Sequence, residues 1–144
     1  MNCTFRRLTL ADLSAVLEMN HTFRDGFITA EGATAFLSDD RNWLWAGITE
    51  ERIIAFAYGY ALDRLDGRRM LYLHEVGVAD PHQRQGIGKM MLEALKDACR
   101  ALGFHRIFLI TSQDNTAANT LYCKCGGEVS CDSGGHDVTY MFFL

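Results

Sequence analysis

The chain of 144 residues has a single proline and no low-complexity stretch, so neither a linker nor a disordered tail is expected. No apolar run approaches the ~20 residues that a membrane-spanning helix needs. The first residues, Met-Asn-Cys-Thr-Phe-Arg-Arg, lack the apolar stretch of a secretory signal. Positive charge is also scarce: 14 Lys and Arg stand against 18 Asp and Glu, for a net charge of −4. That balance argues against a nucleic-acid partner and mildly favours a cationic one. The five cysteines are odd in number, and their scatter suits a reducing compartment better than a disulfide framework. A cytoplasmic protein with no membrane partner is therefore expected. Cys123, Cys125, Cys131 and His136 make a poor metal set, because Cys123 and Cys125 would point to different sides of a helix end. Small apolar packing residues are the better reading, and no metal is expected.

What is present is the composition of one globular domain spanning residues 1–144: 49% hydrophobic, 22% charged. Apolar periodicity predicts a short strand at 5–8, then a helix over 12–19 capped by Asp12. A partly helical region follows, with a short helix at 31–37. Runs rich in aromatic and β-branched residues at 42–48 and 52–62 read as a hairpin turning at Glu50 and Glu51. A polar turn leads to a strand at 70–79, a long helix at 89–102 and a strand at 106–111 whose centre, Ile-Phe-Leu-Ile, reads as fully buried. A helix at 116–125 and strands at 128–131 and 138–144 complete the order.

The junction between the 70–79 strand and the long helix is the most informative segment. It reads Gln83-Arg84-Gln85-Gly86-Ile87-Gly88-Lys89. A helix start offers unpartnered amide N–H groups and partial positive charge. Glycines there let an anion approach the backbone. A dinucleotide fingerprint would need a third glycine where Met91 stands, and a P-loop would need Ser or Thr after Lys89 where Met90 stands. What is left, Gln-x-x-Gly-x-Gly after Val-Ala-Asp-Pro, resembles the coenzyme loop of the GNAT superfamily of N-acetyltransferases. A second block, Asn115-Thr-Ala-Ala118-Asn-Thr-Leu121-Tyr122-Cys-Lys124-Cys-Gly126, is similar to that family's Asn-x-x-Ala-x-x-Leu-Tyr-x-Lys-x-Gly helix.

The resemblance implies an α/β (α+β) GNAT fold, with a central mixed, mostly antiparallel sheet of about seven strands flanked by about four helices. It implies acetyl-CoA as co-substrate. Val76, Val78, Gln83, Arg84, Gln85, Gly86, Ile87, Gly88, Lys89, Asn115, Ala118 and Tyr122 would contact it, mostly through backbone amides. Asn115 could equally be a plain helix cap. Tyr122 would protonate the leaving thiolate, since a phenol titrating near ~10 suits that task; its competing role is to pack on the pantetheine or cap a helix face. As base, Glu75 is favoured: it is an acid in an apolar strand, where desolvation would raise its pKa. Its competing role is an ion pair with Arg64. His74 is the rival base. Only one of two adjacent strand residues should face the cleft unless a bulge intervenes, and the family places a bulge near Gly77.

Within the family the chain looks most like small aminoglycoside 3-N-acetyltransferases, through Tyr72-Leu-His74-Glu75-Val76-Gly77-Val78 and His82 to Gly88. That implies a small cationic amine as substrate, an aminoglycoside held by carboxylates among Asp25, Asp39, Asp40, Asp63, Asp66, Asp132 and Asp137, and a homodimer. A polyamine, a peptide amine or another small amine are the competing substrates. A coenzyme-binding sensor without activity is the competing class.

Overall fold

The computed structural model describes residues 2–24, 26–130 and 133–144. Asp25, Cys131 and Asp132 lie outside the described residues.

Strand β1 (Thr4–Arg7) leads through a 3-10 turn into helix α1 (Leu13–Thr22). Asp12 does not cap α1 as expected. It closes a capping box with Thr9 around the 3-10 turn and ion-pairs Arg6 at 2.7 Å. Helix α2 (Ala30–Leu37) is capped by Thr29, which accepts from the Gly32 amide. The hairpin of β2 (Asn42–Thr49) and β3 (Arg52–Asp63) turns on Glu50 and Glu51, both left-handed at φ 50° and 64°. A two-residue turn of that hand matches the twist of the strands it joins. After β4 (Arg69–Val78) come α3 (Ile87–Ala101), β5 (Arg106–Ser112), α4 (Thr116–Lys124), β6 (Glu128–Val129) and β7 (Asp137–Phe143).

The strands form one seven-stranded sheet in the order β1-β2-β3-β4-β5-β7-β6, antiparallel except for β4 and β5. Four α-helices flank it, as expected for the fold class. Each face buries its own core. On one, Leu71, Leu73, Met91, Leu95 and Leu109 join the sheet to α3. On the other, Val16, Met19, Ala33, Leu44 and Phe56 join it to α1 and α2. The Trp45 indole N–H donates to the Met91 carbonyl at 3.1 Å, and the Lys96 ammonium donates to the Cys125 carbonyl at 2.7 Å. These bonds fix α3 against β2 and the end of α4. Strand β5 is not fully buried as its apolar run suggested: Ile107 and Leu109 are, but Ile110 is 47% exposed. The helices cover only one side of it.

Candidate active site

Two irregularities in the sheet build the site, and both lie on β4. The parallel ladder between β4 and β5 runs from Met70↔Arg106 to Leu73↔Leu109 and stops there, although both strands continue. Past Leu73, β4 keeps only β3 as partner, while β5 stays with β7. The strands part, and the β5-facing backbone groups of Val76 to Val78 border the gap.

The second irregularity is a bulge. Tyr58 pairs with Glu75, but the next residue, Gly59, pairs with Leu73, leaving His74 as the extra residue. The bulge therefore sits at His74 rather than near Gly77. It removes the alternation that would have sent His74 and Glu75 to opposite faces. Glu75 lies beside Tyr58, and the His74 ring contacts Tyr58, Tyr60 and Tyr72 at centroid distances of 5.5, 6.3 and 6.2 Å. Gly59 permits this close approach: a Cβ there would stand 1.7 Å from the Tyr72 carbonyl oxygen. Sequence reasoning missed Tyr58 and Gly59, although a glycine between two tyrosines in a strand is a signal for a bulge.

Glu75 is exposed, so the desolvation argued from its apolar neighbours does not hold. Nor does it pair with Arg64, which is bound to Asp66 at 3.0 Å. Its carboxylate instead lies near the Tyr58 hydroxyl. Burial, followed by the nearby Glu75 charge, pushes Tyr58 up to about 12.

The loop expected to cradle an anion follows β4. The Gln83 side-chain amide donates to the Val78 carbonyl at 3.0 Å and to the Asp80 carboxylate at 3.2 Å; that of Gln85 donates to the Pro81 carbonyl at 3.2 Å. These two glutamines thus brace the loop. Arg84 (φ 63°) and Gly86 (φ 78°) are both left-handed, which curls the chain into a concavity before α3. The first intrahelical donor is the Met90 amide, bonded to Gly86 at 3.0 Å. The amides of Ile87, Gly88 and Lys89 thus belong to the open helix start. A Cβ on Gly86 would meet nothing within 4 Å, leaving free approach to these amides. Gly88 also matters for packing: a Cβ there would press on Leu121 Cδ2 at 3.2 Å, so its smallness lets α4 approach α3. Among the described residues neither Arg84 nor Lys89 has an ion-pair partner.

Helix α4 lies on the α3 side of the sheet. The Asn115 side chain caps it by accepting from the Ala118 amide at 3.1 Å. Asn119, which sequence reasoning passed over, donates to the Ser112 carbonyl at 2.9 Å and accepts from the Tyr140 hydroxyl at 2.6 Å. It thereby ties α4 to the parted end of β5. Tyr122 is buried and packs edge-on against Tyr140 at 5.4 Å, and burial pushes its hydroxyl up to about 12. Glu75 and Tyr122 therefore belong to opposite faces of the sheet, with the gap between β4 and β5 separating them. Among the described residues no cluster could hold a metal ion; Cys123 is exposed while Cys125 is buried, as their spacing implied.

A family model described as the acetyltransferase (GNAT) family matches residues 12–126. The chain belongs to the acetyltransferase (GNAT) family. It is similar to N-acetyltransferase 8B of Rattus norvegicus, with 26% identity over 98 residues, 67% of this chain and 44% of that protein. The chain spans about half the length of the curated relatives it matches. Its fold is similar to that of Arabidopsis thaliana NAA60 in complex with acetyl-CoA, at a TM-score of 0.79 and 15% identity over 99% of both chains. It is also similar to an aminoglycoside acetyltransferase from an uncultured soil metagenomic sample in complex with sisomicin. There the TM-score is 0.75 and the identity 21%, over 85% of this chain and 86% of that one. No helix among the described residues is long and apolar enough to cross a membrane.

Proposed function

We propose that the chain is an acetyl-CoA-dependent N-acetyltransferase in which a primary amine attacks the thioester directly. The observation that carries this reading is the alignment of three features along β4: an anion cradle at 83–89, a gap in the sheet past Leu73, and Glu75 on the far face. The pyrophosphate would rest on the amides of Ile87, Gly88 and Lys89, with Arg84 and Lys89 supplying charge. The pantetheine arm would follow the backbone edge of Val76 to Val78, with Asn115 and Ala118 on the α4 side. The acetyl thioester supplies the electrophilic carbonyl, presented through the gap.

An amine arriving on the α1–α2 face reaches Glu75. It is mostly an ammonium near neutrality and cannot attack until it loses a proton. Glu75, steadied by Tyr58, accepts that proton; His74, brought to the same face by the bulge, is the alternative acceptor. As the new C–N bond forms and the C–S bond breaks, the electron pair leaves on sulfur. Tyr122, still protonated across the working pH range, gives the thiolate its proton; the second proton that the nitrogen sheds on becoming an amide passes to water, from which Tyr122 recovers its own.

The likeness of the 72–88 segment to aminoglycoside acetyltransferases raises the 3-amine of such a drug as acceptor. Among the described residues the carboxylates expected to hold that polycation do not gather at the site; Asp25 and Asp132 lie outside those residues. Asp39, Asp63 and Asp66 are ion-paired with arginines, and neither Asp40 nor Asp137 lines the cavity beside Glu75. A coenzyme A release assay with a panel of amines tests the reading. Turnover with at least one primary amine, lost in Glu75→Gln, is expected; no coenzyme A binding and no turnover with any of them would overturn it.

A further inference from the structure

Beside Glu75 the α1–α2 face carries a cavity of about 600 Å³, in the size range of small-molecule sites. Its floor is Leu44, Phe56 and Tyr58; its walls come from α1, α2 and the connection between them, including Met19, Phe23 and Phe36. The aromatic lining is locked edge to face, with Phe23 on Phe56 at 5.0 Å and Phe36 on Tyr58 at 5.6 Å. Gly77 makes room for the Phe56 ring, since a Cβ there would lie 2.6 Å from it. The connecting wall is preformed as well: the Asn20 side chain clasps the Ile28 backbone with two bonds, each of 2.8 Å. Phe27 stands at the rim, 90% exposed.

Among the described residues the charged lining is Arg24, Glu75 and Asp80, and Arg24 binds Asp80 at 2.7 Å. Among the described residues Glu75 is thus the lining carboxylate left without an ion pair, at one edge of a mainly apolar chamber. A ligand carrying several ammonium groups would press most of them against hydrocarbon, where an unpaired charge is costly. A ligand with one amine and an apolar stem matches both parts.

We propose that the acceptor is a primary amine borne on an apolar or aromatic stem, with the nitrogen at Glu75 and the stem in the cavity between α1, α2 and the sheet. The inference rests on the acetyltransferase reading above and names its acceptor class. Two sources share this chemistry: a small arylalkyl- or alkylamine, and a polypeptide N-terminus whose first side chain is large and apolar.

The test measures kcat/KM by thiol release for n-alkylamines from ethylamine to hexylamine, for 2-phenylethylamine, for a tetrapeptide beginning with Phe, and for kanamycin and spermidine. Coenzyme A binding is followed in parallel by calorimetry. The expected result is a climb of roughly fourfold per added methylene and a preference of ~10²-fold for 2-phenylethylamine or the peptide over kanamycin. Phe27→Ser, at an exposed position that folding tolerates, should lower kcat/KM for hexylamine more than for ethylamine. A faster peptide identifies a polypeptide source and a faster free amine a small-molecule one; both carry the inference. A flat alkylamine series, or faster turnover of kanamycin or spermidine with coenzyme A still bound, overturns the acceptor class and leaves the acetyltransferase reading in place. Absent coenzyme A binding overturns both.

Discussion

Replacing Gly86 by Asp, with Gly86→Asn as its uncharged control, tests the cradle. A side chain at this position projects into open space, since an added Cβ meets nothing within 4 Å, and the backbone is left-handed at φ 78°. Asp and Asn tolerate that conformation better than other residues with a Cβ, and both are good helix N-caps. The strain is then common to the two variants, about 1 kcal/mol or less, and the fold survives in each. The added charge near the helix start even favours Asp slightly. Their difference isolates electrostatics. A carboxylate ~5 Å from one phosphate charge is repelled by about 3 kcal/mol at an effective dielectric of ~20. A pyrophosphate doubles this, while exposure and salt take back more than half. A net loss of about 2–3 kcal/mol corresponds to coenzyme A binding weakened ~30- to 150-fold in the Asp variant relative to Asn. Calorimetric titration at low and high salt measures it, and the gap should narrow as salt rises. Equal affinities in the two variants, both folded by circular dichroism, would refute the placement of the pyrophosphate.

Glu75→Gln should lower kcat by ~10²-fold or more while leaving coenzyme A affinity unchanged; if His74→Ala abolishes turnover and Glu75→Gln does not, the histidine is the base. Gly59→Ala drives a methyl into the Tyr72 carbonyl at 1.7 Å, so the strands must shift by more than an ångström. A loss of about 3 kcal/mol in urea denaturation is expected, with activity falling further than stability; a variant as stable and active as the parent would show that the bulge is dispensable. Tyr122→Phe should slow turnover without removing an alkaline limb from the pH–rate profile, because the buried hydroxyl is pushed up to about 12 and keeps its proton below that. Alkaline stability follows from the same burial. Cys99, ordinarily 9.0, is also pushed up to about 12, and buried Tyr122 and half-buried Tyr58 rise from 10.0. Each holds its proton more tightly folded than unfolded. Their contribution is complete below pH ~9 and is lost as the pH climbs towards ~12. Urea midpoints near pH 8 and near pH 11 should show that decline, and Cys99→Ala should flatten it; a parallel decline in the variant would assign the loss to other groups.

Much of this protein is written locally. The hairpin turn at Glu50 and Glu51, the helix after Gly86 and the helix after Asn115 each follow from a few adjacent residues, because caps, turns and amphipathic periods are short-range devices. The loop from Gln83 to Lys89 was legible for the same reason: its two left-handed residues, its braces and its open amides lie within a dozen positions. The environment of Glu75 was not. An acid among apolar neighbours in sequence reads as buried, yet burial depends on what covers the strand, and Glu75 borders the open cavity between α1, α2 and the sheet. Pairing with Tyr58 depends on a register shift between strands that sequence periodicity alone assumes to be regular. The purpose of Gly88 likewise needed Leu121, which approaches from a different helix. The cavity beside Glu75 is assembled from α1, α2, β2, β3 and β4, so no stretch of sequence contains it. By itself the sequence determined the elements, their order and the glycine turn before α3, all products of neighbouring residues. Only the tertiary structure decided which side of the sheet Glu75 and Tyr122 face and what surrounds each of them, because those depend on contacts between segments far apart in the chain.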